Sequence, residues 1–214
     1  MWSLATGAES ERPTRNRTMM EANDGSTDET PTVALVCGSQ RPDSVTRIAL
    51  GHVADGVRDA GGRVDLIDLG ACDLPTFNPH AADAGDAETL RERIGEADAV
   101  VLGTPMYHGS FSGVLKNAID YCGFEQFEGT TVGLVAVAGG GYPRTPIDHL
   151  TDVCRTLNAW VVPETVMVPH SEDAAYRGEL SKDALRERAE RLGRRVVNAH
   201  DRDPCETEMR SRGV

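Results

Sequence analysis

The chain has 214 residues and a formal net charge of −12, with 34 acidic residues against 22 basic ones. Its length suits one domain with some extra chain, and its excess of negative charge repels the phosphate backbones of nucleic acids. No apolar run approaches the roughly 18 residues of a membrane span, and the polar first 30 residues lack the apolar stretch of a secretory signal, so we expect a cytoplasmic protein that binds neither nucleic acid nor membrane.

The amino-terminal segment is expected to lie outside the fold. Residues 1–30 show no hydrophobic periodicity, which predicts a disordered extension. Three methionines in it are candidate start sites: Met1, Met19 and Met20. The folded domain is predicted over residues 31–200, and a flexible tail over residues 201–214.

The first half of the predicted domain alternates between strands and helices. Thr32–Cys37 is a short, almost wholly apolar run, typical of a buried parallel strand. A helix is predicted over Ser44–Ala60, because apolar residues recur at helical spacing along one face. The alternating segment Arg63–Leu69 predicts a second strand, nearer an edge of the sheet. A helix at Ala87–Glu96 and a third strand at Ala97–Gly103 follow.

The second half continues the alternation. A helix is predicted at Phe111–Cys122, a strand at Thr131–Ala138 and a helix at Thr145–Leu157. A fifth strand at Ala159–Val168 contains a proline, which indicates an edge position or a bulge. The last helix is predicted over Ser181–His200, with its first residue as the cap. Five strands alternating with helices predict an α/β fold whose parallel sheet is covered on both faces.

Two doubly wound topologies fit this pattern, the Rossmann-like and the flavodoxin-like. In both, ligands bind beyond the carboxyl ends of the strands. The loops that follow the first, third and fourth predicted strands are therefore the candidate functional segments.

The first of these loops carries three hydroxyl side chains and an arginine at the start of a helix. Ser39, Ser44, Thr46 and Arg41, together with free helix N–H groups, could surround a phosphate. The glycine patterns of phosphate-binding P-loops and of dinucleotide-binding loops are absent. A monophosphate held by hydroxyls suits the loop better than a pyrophosphate. The alternative is an ordinary loop with Ser44 as a helix cap.

The loop after the third predicted strand is Thr104–Ser110. Pro105 stiffens it, and Gly109 permits a backbone conformation that other residues avoid. Met106 and Tyr107 offer polarisable or flat surface to a planar ring. The alternative is a turn with a buried tyrosine.

The loop after the fourth predicted strand contains three consecutive glycines, Gly139, Gly140 and Gly141. Glycines in such a position usually allow a ligand to approach the backbone closely. The alternative is a flexible linker.

These three loops resemble, in order, the signatures of the NADPH-dependent FMN reductase family. V-A-L-V-C-G-S-Q-R-P-D-S-V-T resembles the G-S-x-R-x-x-S opening of that family. T-P-M-Y-H-G-S-F-S-G-V-L-K-N-A-I-D-Y is similar to its second motif, usually P-x-Y-N-G followed by a G-x-L-K-N-A-I-D helix. The resemblance spans about Thr32–Val168. It implies a flavodoxin-like three-layer sandwich with a five-stranded parallel sheet, order 2-1-3-4-5, that binds FMN non-covalently.

The resemblance also assigns roles to residues. It implies that the FMN phosphate is held by Ser39, Arg41, Ser44, Val45 and Thr46. It implies that the isoalloxazine ring is lined by Pro105, Met106, Tyr107, His108 and Gly109, with Gly139, Gly140 and Gly141 on the other side. His108 stands where Asn is usual, and Thr46 where Asn is frequent. Lys116, Asn117 and Asp120 belong to the helix signature, as structural residues or as part of a dimer contact.

The implied activity is hydride transfer from NADPH or NADH to flavin N5 and then to a small-molecule acceptor, such as a flavin, a quinone or an azo compound. The flavin carries this chemistry, so no catalytic side chain is expected. Arg144 could contact the phosphates of the nicotinamide nucleotide. The family implies a homodimer or homotetramer. The alternatives are a flavodoxin-like FMN electron carrier without a nicotinamide site, and a ligand-sensing or scaffold protein that keeps the fold.

Other features of the composition carry less information about function. Five scattered cysteines without a C-x-x-C pair do not suggest a disulfide framework. Cys37, Cys122 and Cys154 lie in apolar segments and are interpreted as small buried hydrophobic residues. The six histidines have no metal-ligand spacing, so no metal is expected. The acidic charge and the presence of only two lysines suggest adaptation to high salt.

Overall fold

The computed structural model describes residues 30–200. The predictions for residues 1–29 and for the tail from residue 201 lie outside the described residues. In chain order, the strands are β1 (Thr32–Cys37), β2 (Arg63–Asp68), β3 (Ala99–Tyr107), β4 (Ser110–Phe111), β5 (Thr131–Val137), β6 (Trp160–Val168), β7 (Ala175–Tyr176) and β8 (Glu179–Leu180). The helices are α1 (Val45–Asp59), α2 (Ala87–Gly95), α3 (Gly113–Asp120), α4 (Phe124–Phe127), α5 (Arg144–Thr156), α6 (Ser171–Ala174) and α7 (Asp183–Val197).

Five parallel strands form the central sheet in the order β2-β1-β3-β5-β6. This is the predicted order 2-1-3-4-5 for the five predicted strands, so the flavodoxin-like topology is confirmed. Alternate residues of β1 face opposite layers: Val33 and Leu35 pack with α1 and α7, whereas Val36 packs with α2, α3 and α5. The sheet is therefore buried on both faces, as its apolar strands require.

Helices α1 and α7 cross in close contact through two glycines. A Cβ atom built on Gly56 would lie 1.9 Å from the backbone oxygen of Glu190, and one built on Gly193 would lie 2.1 Å from the backbone oxygen of Val53. Both distances are far below van der Waals contact, so the two backbones can approach this closely only without side chains at these positions.

The prediction of a loop at Thr104–Ser110 followed by a helix from Phe111 was wrong. Strand β3 continues to Tyr107, and Ser110 and Phe111 return antiparallel to it as β4. Helix α3 then begins at Gly113, because Ser112 is its N-cap and accepts a hydrogen bond from the Leu115 N–H (3.2 Å). Helical spacing of apolar residues did not reveal the short hairpin before the cap.

The prediction that Ser181 begins and caps the last helix was also wrong. Helix α7 begins at Asp183, after Lys182, whose side chain makes no cap. The Ser181 N–H instead donates to the carbonyl of Ala174 (2.9 Å) and ends the hairpin β7–β8. This hairpin and the short helices α4 and α6 were not predicted, because each is too short to show a period.

Strand β6 is an edge strand with a bulge, as its proline predicted. Its register with β5 runs from Val132 opposite Val161 to Leu134 opposite Thr165. Between these two pairs, one residue of β5 faces three of β6, and Pro163 is the middle one of the three. Proline has no N–H to donate to the β5–β6 ladder. An irregular stretch at this residue therefore costs the ladder fewer hydrogen bonds than it would elsewhere.

Candidate functional site

A cavity of about 760 Å³ opens at the carboxyl ends of β1, β3 and β5. Four segments form its wall: the loop between β1 and α1, the end of β3, the end of β5 with Gly139, and the segment 171–178 after β6. Of the predicted site residues, the following line it: Ser39, Arg41, Ser44, Val45, Thr46, Pro105, Met106, Tyr107 and Gly139. The structure thus brings residues of all three predicted loops to one cavity.

Three buried hydroxyls lie at the start of α1. Ser39, Ser44 and Thr46 are only 2–4% exposed, and all three line the cavity. The Ser44 Oγ accepts from the Arg47 N–H (3.2 Å), and the Ser39 Oγ accepts from the Arg41 N–H (3.4 Å). A hydroxyl that accepts a hydrogen bond keeps its own O–H to donate. These donors at a helix N-terminus form an environment that favours an anion.

Arg47 holds this loop in shape and was not predicted as a site residue. Its guanidinium donates to the carbonyls of Arg41 (3.2 Å) and Pro42 (2.9 Å) and pairs with Asp68 at the end of β2 (2.7 Å). The backbone turn of the loop is therefore tied to both α1 and the neighbouring strand. Two features of the sequence could have indicated this role: an arginine in the first turn of a helix, and an aspartate that ends the adjacent strand.

A hydrogen-bonded chain joins the first loop to the β3–β4 hairpin. The Thr104 Oγ1 accepts from the Ser112 N–H (2.9 Å), and the Ser112 Oγ donates to the Gly38 carbonyl (2.7 Å). The Gly38 N–H donates to the Gly103 carbonyl (2.8 Å). A Cβ on Gly38 would lie 2.9 Å from the Cβ of Leu115. These buried bonds fix the distance between the two loops before any ligand enters.

His108 and Gly109 form the two-residue turn between β3 and β4. Their φ angles are 49° and 79°, and positive φ at both central residues is the requirement of a type I′ hairpin turn, for which Asn-Gly is preferred. The positive φ of this turn therefore explains why asparagine is usual in the family at the position of His108. His108 and Gly109 do not line the cavity, so the ring contacts implied for them stay a prediction.

The third loop contributes less to the cavity than predicted. Only Gly139 of the three glycines lines the wall; Gly140 and Gly141 are exposed beyond it. Arg144 begins α5, outside the wall, and pairs with Asp148 (2.8 Å). Its contact with a nucleotide stays a prediction.

Comparison with known proteins decides the family. The family model described as NADPH-dependent FMN reductase matches residues 31–173, more than half of the chain. The chain belongs to the NADPH-dependent FMN reductase family. An FMN-dependent NADPH-azoreductase of Staphylococcus aureus is 42% identical over 86 residues, which are 40% of this chain and 45% of that protein. The chain thus spans less than half the length of the curated relatives that it matches.

Solved structures share the fold of this reductase-family member. The flavoenzyme NAD(P)H:(acceptor) oxidoreductase FerB of Paracoccus denitrificans is 24% identical with a TM-score of 0.67, covering 80% of this chain and 98% of its own. A flavodoxin from the domain Archaea is 12% identical with a TM-score of 0.60, covering 81% and 100%. At these identities the likeness shows the flavodoxin-like fold alone.

The helix signature of the reductase family has a structural role here. The Asn117 side chain accepts from the Phe77 N–H (2.8 Å) and donates to the Pro75 carbonyl (2.8 Å), so it anchors the long segment between β2 and α2. Lys116 and Asp120 form an ion pair on the same helix. For Asn117 the structural alternative is therefore confirmed, and a dimer contact of this helix stays a prediction.

The segment after β6 lines the cavity and was not predicted to do so. Ser171, Glu172, Ala175, Arg177 and Gly178 all contribute to the wall. A buried leucine between polar residues, Leu180, was the only signal in the sequence for a packed element here.

The thiols near the sheet are protonated at neutral pH. Cys37 and Cys154 are buried, as predicted, whereas the prediction that Cys122 is buried was wrong, because it is only partly buried. Burial raises the pKa of Cys37, and raises that of Cys122 and of Cys154 to about 12. A protonated thiol is a poor nucleophile and metal ligand. Among residues 30–200, no group of three or more His, Cys, Asp or Glu side chains is placed to hold a metal ion, and no helix is long and apolar enough to cross a bilayer.

These thiols make stability depend on alkaline pH. Below pH 9.0, the ordinary pKa of a thiol, Cys122 and Cys154 are protonated in both the folded and the unfolded protein. Their full contribution to the free energy of unfolding is then present. As pH rises towards about 12 the unfolded chain loses these protons first, so the free energy of unfolding should fall by up to about 1.4 kcal/mol per pH unit per thiol. Urea unfolding at several pH values should show a shallower fall for a Cys122→Ala/Cys154→Ala variant, and equal slopes would contradict this expectation.

Proposed function

We propose that this protein is an FMN-dependent NAD(P)H oxidoreductase that passes electrons to a small-molecule acceptor. One observation carries the proposal: a single cavity joins a buried hydroxyl cradle at a helix N-terminus to a wall of Pro105, Met106 and Tyr107. The first feature suits the phosphate of FMN, and the second suits its planar ring.

The cradle would hold the FMN phosphate through Ser39, Ser44 and Thr46, with Arg41 supplying positive charge. These hydroxyls are already buried and oriented by the loop, so they lose little conformational entropy when the phosphate binds. Bound FMN would supply the redox chemistry, taking a hydride from the nicotinamide and delivering it to the acceptor.

The end of β3 would position the ring. Because β3 pairs with β1 as far as Gly103 and with β5 as far as Pro105, the wall is built on a rigid element. Tyr107 is 52% exposed. A ring placed against Tyr107 would therefore lie at the solvent side of the cavity, where a second planar molecule could reach it.

The name of the Staphylococcus aureus relative, an NADPH-azoreductase, supports NADPH as reductant and azo compounds among the acceptors. Quinones and free flavins share the required property, since each accepts two electrons as a planar molecule. A cytoplasmic location and a homodimer or homotetramer are part of the same proposal, by analogy with the family.

The proposal is tested by an absorbance spectrum before and after anaerobic NADPH or NADH. We expect purified protein to carry, or to take up from added FMN, the visible bands of oxidised flavin, and these bands should bleach with the nucleotide. Bound flavin that does not bleach would favour the electron carrier, whose fold the archaeal flavodoxin shares. Protein that binds no FMN and oxidises neither nucleotide would overturn the proposal.

A further inference from the structure

The β7–β8 hairpin holds an arginine in an unfavourable backbone conformation. Tyr176 pairs with Glu179, so Arg177 and Gly178 are the two central residues of the turn, with φ of 52° and 85°. A non-glycine residue with a long side chain in this region costs about 1–2 kcal/mol, whereas asparagine is tolerated there. Strain of this kind points to a function of the side chain.

The base of the hairpin is fixed to α1. The Leu180 N–H donates to the Nε2 of His52 (3.3 Å), and a Glu179 carboxylate oxygen lies 3.4 Å from the same nitrogen. Leu180 itself is fully buried. Gly178 and Ile48 also both line a smaller cavity, so the tip of the hairpin and the first turns of α1 border the same space. The hairpin therefore holds Arg177 in the wall of the same cavity that Ser39, Ser44 and Thr46 line.

Arg177 is available to a ligand. Three arginines line the cavity, but Arg47 is engaged by Asp68 and by two carbonyls. Over residues 30–200, Arg41 and Arg177 form no ion pair, and the Arg177 guanidinium lies 5.1 Å from the ring centre of Tyr176. A guanidinium resting on an aromatic ring keeps its N–H groups free to donate at its edge.

We propose that Arg177 binds a phosphate monoester in this cavity, as a second cation beside the hydroxyl cradle. The inference rests on the proposed function, which brings two such groups to the site: the 5′-phosphate of FMN and the 2′-phosphate of NADPH. A planar guanidinium recognises either one through paired N–H···O bonds.

The test uses Arg177→Asn, because asparagine suits the turn better than arginine and the variant should fold at least as stably. The affinity for FMN is compared with that for riboflavin, and the KM for NADPH with that for NADH. We expect a loss of about tenfold or more for one ligand of a pair, FMN or NADPH, while the counterpart that lacks this phosphate monoester is unchanged. A change in the FMN pair identifies FMN as the source, and a change in the NADPH pair identifies the reductant.

Two further variants make the result specific. Arg177→Lys should retain part of the affinity, since it keeps the charge but loses the paired geometry. Arg155→Asn removes an exposed arginine at the far end of α5, outside the cavity, and should change neither ratio. Two results would overturn this inference while leaving the proposed function intact. One is a folded Arg177→Asn variant in which the ratio of FMN to riboflavin affinity and the ratio of the KM values for NADPH and NADH are both unchanged. The other is equal weakening of FMN and riboflavin binding. Wild-type protein that binds neither flavin nor nucleotide would overturn the proposed function as well.

Discussion

Substitution of Ser44 by aspartate should weaken FMN binding by at least about 100-fold. Ser44 is buried, lines the cavity and caps α1. Aspartate caps a helix as well as serine does, so α1 should keep its first turn. The new carboxylate would face the phosphate, and like charges about 4 Å apart repel by about 4 kcal/mol at an effective dielectric constant of about 20. Titration of the apoprotein with FMN, followed by quenching of flavin fluorescence, measures the loss.

Ser44→Asn is the matched control for charge. Asparagine is also a good cap and has nearly the size of aspartate, but it is neutral. We expect it to lose much less FMN affinity than Ser44→Asp, and we expect riboflavin to bind both variants similarly. If Ser44→Asp bound FMN as tightly as the asparagine variant, the phosphate would not lie at the start of α1.

Substitution of Gly56 by alanine should lower the free energy of unfolding by about 3 kcal/mol or more. The added methyl would meet the backbone of Glu190, which cannot rotate away as a side chain can. Helices α1 and α7 would have to move apart, which opens gaps in the core that both share with β1. Urea unfolding followed by far-UV circular dichroism measures the change.

Gly51→Ala provides a control within the same helix. Nothing lies within 4 Å of a Cβ built on Gly51, which is exposed. Alanine is the better helix former by about 1 kcal/mol, so this variant should be slightly more stable than the wild type. A similar loss in both variants would mean that flexibility of α1, and not its contact with α7, is being measured.

The sheet could be predicted because its strands are long, apolar and separated by periodic helices. Burial on both faces leaves a continuous hydrophobic run, and Thr32–Cys37 shows this plainly. The predicted helix boundaries were wrong where side-chain hydrogen bonds determine them. Helix α3 starts where Ser112 caps it, and helix α7 starts after the preceding hairpin. Neither the cap nor the hairpin produces a hydrophobic periodicity in the sequence.

The site could be predicted in part for a related reason. Residues at the carboxyl ends of parallel strands converge whatever their identity, so Ser39 and Pro105 could be placed in one cavity from topology alone. Arg47 was not predicted because its role lies in hydrogen bonds to backbone carbonyls. Arg177 was not predicted because two short elements, α6 and β7, separate it from the end of β6. Such contacts depend on tertiary distances that no local pattern encodes.

The bulge of β6 at Pro163 has a consequence for how copies of this protein can meet. An edge strand with a regular row of free N–H and C=O groups is a template for strand addition, and hence for sheet-to-sheet aggregation. The irregular register around Pro163 bends and twists this edge strand away from a flat partner. We therefore expect the folded protein to resist edge-to-edge association on this side of the sheet.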